Sequence, residues 1–221
     1  MDILQAIYER KSTRAYLDTP VSRQQIHAIL DAARWAPSGA NIQPWHVEVV
    51  TGITKKVIGD QIIAAKERGQ EANPDYAYYP ENWQEPYRSR RKQCGLALYE
   101  ALNIQRGDIE KSKTVWCRNY RFFDAPVGLL FFINKALTPG SWLDMGMFIQ
   151  NVMLVARESG LESCPQAAMA EYPTIIRDKL NVDSNYLLLC GMALGYPDRS
   201  HPINSYRLDR IPVDDFTRWH D

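Results

Sequence analysis

Val127-Gly128-Leu129-Leu130-Phe131-Phe132-Ile133 is an unbroken apolar run, rich in aromatic and branched side chains, entered through Pro126 and left at Asn134-Lys135. Such a run has no polar face to give to water, so it reads as a strand buried on both sides and central in its sheet. A second apolar strand is expected over residues 186–194. Between the two, residues 141–160 read as a helix. Its segment 142–156 is apolar on nearly every face, interrupted only by Asp144, Gln150 and Asn151. Those fifteen residues, at about 1.5 Å each, fall short of a bilayer core of roughly 30 Å. A helix apolar all round must be buried in the core or between subunits, and burial that includes a dimer contact is the expectation.

Working outward, residues 2–10 suggest a first helix. Ser22 caps a second, carried by Ile26, Ile29, Leu30 and Ala33 at helical spacing and closing at Arg34-Trp35. Pro37-Ser38-Gly39 stops it, residues 46–50 alternate as a short strand, and residues 54–68 return to a helical pattern that Gly69 ends. Residues 70–86 show no period. They hold Pro74, Pro80 and Pro86 and a dense set of aromatics, Tyr76, Tyr78, Tyr79 and Trp83, as a functional lid or mobile segment would. A helix follows over 87–103, then a polar stretch to Pro126. A short helix is expected near 173–180, and residues 196–221 read as an arm lying over something else. Helices outnumber strands without β-α-β alternation, so the fold class is α+β, in one domain over 1–221 with a variable lid and substrate region over 70–125.

Composition removes several classes of function. The 221 residues carry 26 basic and 26 acidic side chains, so the molecule has no net field to attract nucleic acid or an anionic membrane. Cys94, Cys117, Cys164 and Cys190 are far apart, with no pair at zinc-ligand spacing, and no metal site is expected. The amphipathic start of the chain lacks the basic opening and apolar run of a secretory signal, which points to the cytoplasm. There is no G-x-G-x-x-G after a strand, no phosphate-binding P-loop, no H-E-x-x-H and no G-x-S-x-G. His27, His46, His201 and His220 share no spacing and read as structural.

Two constellations remain. Arg10-Lys11-Ser12-Thr13-Arg14 packs three cations and two hydroxyls where the first helix ends, a set suited to a phosphorylated ligand. It reads equally as a solvated basic helix end that complements the helix dipole. Ala36-Pro37-Ser38-Gly39-Ala40-Asn41-Ile42-Gln43-Pro44-Trp45 combines polar side chains, a glycine for close backbone approach and two stiffening prolines. It can read the polar edge of a ligand, or serve as an ordinary helix-to-strand connection.

Together, a basic R-K-S-x-R segment and a P-S-G-x-N-x-Q-P-W loop resemble the FMN-dependent nitroreductase family, including its nitrobenzoate-reducing members. The likeness extends to Phe122-Phe123-Asp124-Ala125-Pro126-Val127, to a turn at Pro165-Gln166-Ala167-Ala168, and to Gly195-Tyr196-Pro197 with Arg207-Leu208-Asp209-Arg210-Ile211-Pro212.

The resemblance implies an interlocked homodimer with a central, mostly antiparallel sheet flanked by helices, binding FMN in the dimer interface. It implies that Arg10, Lys11, Ser12 and Arg14 contact the ribityl phosphate and the pyrimidine side, with Arg210 and its neighbour Arg207 completing the phosphate site. Pro37, Ser38, Gly39, Asn41 and Gln43 would reach the flavin of the other subunit. Pro165, Gln166, Ala167 and Ala168 would run beside the isoalloxazine ring, the Gln166 amide near the hydride-accepting nitrogen. A cation such as Arg14 would favour the reduced, negatively charged pyrimidine side. No acid–base triad is needed, because the flavin carries the chemistry.

On that footing NADH or NADPH delivers hydride and leaves, and a small aromatic acceptor, a nitroarene or a quinone, takes its place in ping-pong turnover. Tyr76, Tyr78, Tyr79 and Trp83 would stack on the acceptor, and Arg88, Arg90, Arg91 and Lys92 would hold a carboxylate, as on a nitrobenzoate. The same residues also read as a packing loop followed by the solvated face of a helix. Other flavin reactions on this fold, such as dehalogenation, alkene reduction or flavin fragmentation, and flavin binding without turnover, stay open.

Overall fold

The computed structural model describes residues 2–220. Its strands are β1 (His46–Thr51), β2 (Val127–Asn134), β3 (Glu162–Gln166) and β4 (Tyr186–Gly195), and its helices are α1 (Ile3–Glu9), α2 (Arg23–Ala33), α3 (Gly52–Glu67), α4 (Tyr87–Ala101), α5 (Ile109–Cys117), α6 (Pro139–Glu158) and α7 (Pro173–Leu180). The strands form one antiparallel sheet in the order β1-β2-β4-β3. As the apolar run requires, β2 is central and residues 127–133 are all buried.

Alternation along β2 divides the core. Val127, Leu129, Phe131 and Ile133 face α2 and α6, while Leu130 and Phe132 face α3 and α7. Gly128 lets the ring of Phe122 lie against the sheet, since a Cβ there would stand 2.6 Å from that ring, and Gly191 makes room for Met169, which a Cβ would meet at 2.5 Å. Phe122, Phe123 and Asp124 reach this position through three successive left-handed residues (φ 54, 52 and 64), a costly backbone for non-glycine residues that the burial of both rings offsets.

Two elements were not expected. The polar stretch before Pro126 contains α5, whose N-terminus Asp108 caps by accepting from the Lys111 amide at 3.1 Å. None of its residues is buried, so it has no apolar period to display. The segment expected as a turn near residue 165 is a strand, β3, that continues into a 3-10 turn at Ala167–Glu171. Pro165 is compatible with a strand there because β3 lies at the sheet edge.

The helix read as apolar all round is buried on one side only. Asp144, Met145, Phe148, Val152 and Ala156 face inward, while Leu143 remains 73% exposed and Met147 40% exposed. The lid is pinned at its base: Asp75 pairs with Arg177 at 2.5 Å and accepts from the Leu188 amide at 3.0 Å, and the Tyr76 hydroxyl donates to the Leu189 carbonyl at 2.5 Å. Beyond that base, α4 buries no residue at all. Among the described residues no helix is long and apolar enough to cross a membrane, and no cluster of side chains is suited to a metal ion.

Candidate active site

The basic segment is laid along β3. Arg10 caps the C-terminus of α1, and the Thr13 amide donates to the Ser163 carbonyl at 3.1 Å. The Thr13 hydroxyl donates to Glu162, a buried carboxylate that also faces Arg157 at 3.5 Å and Arg199 at 3.3 Å. Arg157 in turn holds Glu9 at 2.6 Å, so α1, α6 and β3 are tied behind the segment by one charged network.

The C-terminal arm closes on the same segment through Asn204. Its buried side chain accepts from the Arg14 amide at 2.8 Å and donates to the carbonyls of Ala15 and Asp198 at 2.9 and 2.8 Å, while Lys11 donates to its backbone carbonyl. Three and six residues past this hub the arm carries Arg207 and Arg210, whose charges act on Arg10. Burial, then the guanidiniums of Arg210 and Arg207, hold Arg10 below the ordinary arginine pKa. Among the described residues none of the three pairs with a carboxylate, and Arg210 donates only to the carbonyls of Leu208 and Asp209. An Arg10 guanidinium set against two further cations, with no carboxylate partner among the described residues, fits an anion such as the phosphate of the expected cofactor.

Beside this trio opens a cleft of about 820 Å³. The body contributes Arg14, Tyr206 and the residues Cys164, Pro165, Gln166, Ala167 and Ala168 at the end of β3; the lid and α4 contribute Tyr76, Tyr78, Tyr79, Arg88, Arg91 and Lys92. Arg14 is anchored by donating to the Tyr206 hydroxyl at 3.1 Å and to the Ser12 carbonyl at 3.3 Å. The Gln166 amide group donates to the Asn119 carbonyl at 2.7 Å, but its buried Oε1 has no partner. Burial pushes the Cys164 thiol up despite the pull of Arg14, the Ser12 hydroxyl and Arg10, so it stays protonated and serves as packing.

The site residues read from the sequence therefore fall into three groups. Arg10, Arg207 and Arg210 converge, with Lys11 and Ser12 fastened beside them. Arg14, Pro165, Gln166, Ala167, Ala168, Tyr76 and Tyr79 line the cleft, whereas Trp83 and Arg90 do not. Trp83 supports Tyr79, ring to ring at 5.5 Å, and Arg90 lies over Tyr87 at 5.8 Å. On α4 the lining positions are 88, 91, 92, 94, 95, 96, 98 and 99, a broad side of the helix that leaves out residue 90.

The third group, Pro37, Ser38, Gly39, Asn41 and Gln43, lies apart from the cleft. Their loop is rigid: Ala40, Asn41 and Gln43 are left-handed, the Gln43 amide donates to the Ser38 hydroxyl at 3.0 Å, and the Gly39 amide donates to Asp144 at 3.2 Å. Its polar groups point outward. Sequence reasoning missed Asn204, Tyr206, Asn119 and Phe123. Asn204 is a lone asparagine in a loop, and its importance comes from partners about 190 positions away in the chain.

The family model described as "Nitroreductase family" matches residues 7–196. A 4-nitrobenzoate reductase of Pseudomonas putida is 38% identical over 213 residues, covering 96% of this chain and 93% of that protein. A nitrobenzene nitroreductase of Ectopseudomonas oleovorans is 36% identical, covering 96% and 93%. Among solved structures, the FMN and NADPH-dependent nitroreductase NfnB from sphigopyxis sp. strain HMH superposes with a TM-score of 0.97 at 37% identity over 100% of both chains. By its sheet, its clustered arginines and this likeness along nearly its whole length, the chain belongs to the nitroreductase family.

Proposed function

We propose that the protein is an FMN-dependent nitroreductase that passes electrons from NADPH or NADH to nitroaromatic acceptors and works as a homodimer in the cytoplasm. The observation that carries this reading is the uncompensated trio Arg10, Arg207 and Arg210 beside a cleft edged by Pro165, Gln166, Ala167 and Ala168. The trio, with Lys11 and Ser12, would hold the phosphate, and Arg14 would serve the pyrimidine side. Bound there, FMN would supply two-electron transfer between the coenzyme and the acceptor.

The chain's own residues bind and orient. Arg14 favours a reduced, negatively charged ring by charge alone, and the Gln166 backbone amide offers a donor to the reacting edge. Donor and acceptor share one cleft, which supports alternating ping-pong occupancy, with quinones as further flat acceptors. Two observations support the dimer. The strained polar loop at 37–43 lies apart from its own chain's cleft, which leaves it available to the partner's site. The exposed area of 13552 Å² also exceeds the roughly 10,000 Å² of a compact monomer of this mass.

The test is a spectrum of the purified protein, followed by anaerobic addition of NADPH or NADH and then of a nitroarene. Bleaching of a flavin band and its recovery on adding the acceptor are expected. A protein that stays colourless when FMN is offered overturns the cofactor assignment, and a flavin that remains oxidised under both coenzymes overturns the turnover.

A further inference from the structure

We propose that Arg91 and Lys92 on α4 form a carboxylate-binding subsite at the mouth of the cleft, which selects acid-bearing nitroaromatic acceptors over neutral ones. The proposal rests on the nitroreductase reading and specifies its substrate. Similarity alone does not choose, because the two curated relatives described above, one named for an acid and one for a neutral nitroarene, are almost equally similar to this chain.

The argument starts from charge. The whole molecule is balanced at 26 basic and 26 acidic residues, yet the cleft is lined by Arg14, Arg88, Arg91 and Lys92 against Glu171 alone. Glu171 is occupied in accepting from the Tyr120 hydroxyl at 2.6 Å, and Arg88 is neutralised by Glu85 at 2.8 Å. Arg14 is held on the body side by Tyr206. Arg91 and Lys92 remain, and among the described residues neither has a carboxylate partner.

Their placement suits a ring that carries an acid. Arg91 lies over the Trp83 ring at 5.1 Å, Trp83 supports Tyr79, and Tyr79 meets Tyr78 edge to face at 4.7 Å. The guanidinium is thus held over an aromatic wall, and its planar donors match a carboxylate in two parallel hydrogen bonds. An arene entering between this wall and the end of β3 presents one end to the reacting edge and the other to Arg91. The phosphate of the cofactor is already accounted for by Arg10, Arg207 and Arg210, none of which lines the cleft.

The test compares 4-nitrobenzoate with its neutral methyl ester in the flavin-loaded wild type and in Arg91→Gln, Lys92→Gln and Arg91→Lys, under both NADPH and NADH. In Arg91→Gln the ratio of kcat/KM for the acid to that for the ester is expected to fall about fivefold, the size of a partly screened charge pair. Arg91→Lys should recover part of that ratio, and added salt should lower it in the wild type. Retained flavin absorbance shows that each variant is folded. An unchanged ratio in both glutamine variants overturns the subsite. A loss confined to NADPH, with NADH and both acceptors unaffected, assigns the two cations to the coenzyme phosphate instead and equally overturns it. Failure of the wild type to reduce either acceptor speaks against the nitroreductase reading itself, so the two failures are distinguishable.

Discussion

A guanidinium that has lost part of its water and faces two others destabilises the empty site and stabilises the filled one. Arg10 is in that position, held below its ordinary pKa by burial and by Arg210 and Arg207. Arg10→Ala and Arg210→Ala are each expected to weaken FMN binding about ten- to a hundredfold, the worth of a charge-assisted hydrogen bond. Thermal unfolding separates this from a folding defect. Without FMN either variant should melt at the wild-type temperature or slightly above it, because repulsion has been removed; with saturating FMN the gain in melting temperature should shrink. Flavin affinity equal to wild type in both variants contradicts the phosphate assignment. The basic cluster was legible as a local pattern, but its choice between a ligand site and a solvated helix end was not. That choice depends on Asn204, which brings the arm's two arginines to the first.

Among the elements, β2 accepts the Phe122 ring only because Gly128 leaves room for it, as Gly191 on β4 leaves room for Met169. Gly128→Ala drives a methyl group to 2.6 Å from a ring that is itself fully buried and cannot yield. Overpacking of this kind costs about 2 kcal/mol or more, and urea unfolding should show a lowered midpoint with an unchanged slope. A wild-type midpoint would mean that the Phe122–Asp124 turn can move. Helix α4 illustrates how periodicity is read well or badly. Arg88, Arg90, Arg91 and Lys92 are close neighbours in the sequence, yet at about 100° per residue only three of them share the face that lines the cleft. The spacing of the four along the chain already carries that distinction. The polar stretch shows only a faint sign of α5, whose few apolar side chains, Ile109, Val115 and Trp116, include none that is buried.

At the scale of the molecule, the exposed side of α6, the outward loop at 37–43 and an arm with Phe216 and Trp219 in solvent describe a chain whose surface exceeds its need for a compact fold. Apolar side chains left in this arrangement would be covered in the proposed homodimer. Sedimentation of the wild type should give a dimer. Leu143→Glu, which puts a charge on the outer face of α6, should shift it toward monomer at micromolar concentration and lower flavin retention in parallel. A monomer that keeps its flavin contradicts the shared site.

The amino-acid sequence alone determined the central strand, the presence of a helix after it, and the capped helix at Ser22. Each is a property of neighbours in the chain, shown by an unbroken apolar run or by a helical period of 3.6. Only the tertiary structure decided that Arg10 meets Arg207 and Arg210, that the 37–43 loop faces away from its own cleft, and that Arg91 and Lys92 are the cations left unpaired there. These adjacencies follow from the strand order β1-β2-β4-β3 and from the return of the arm along the 11–17 segment. They join residues up to about 200 positions apart, and no periodicity reaches that far.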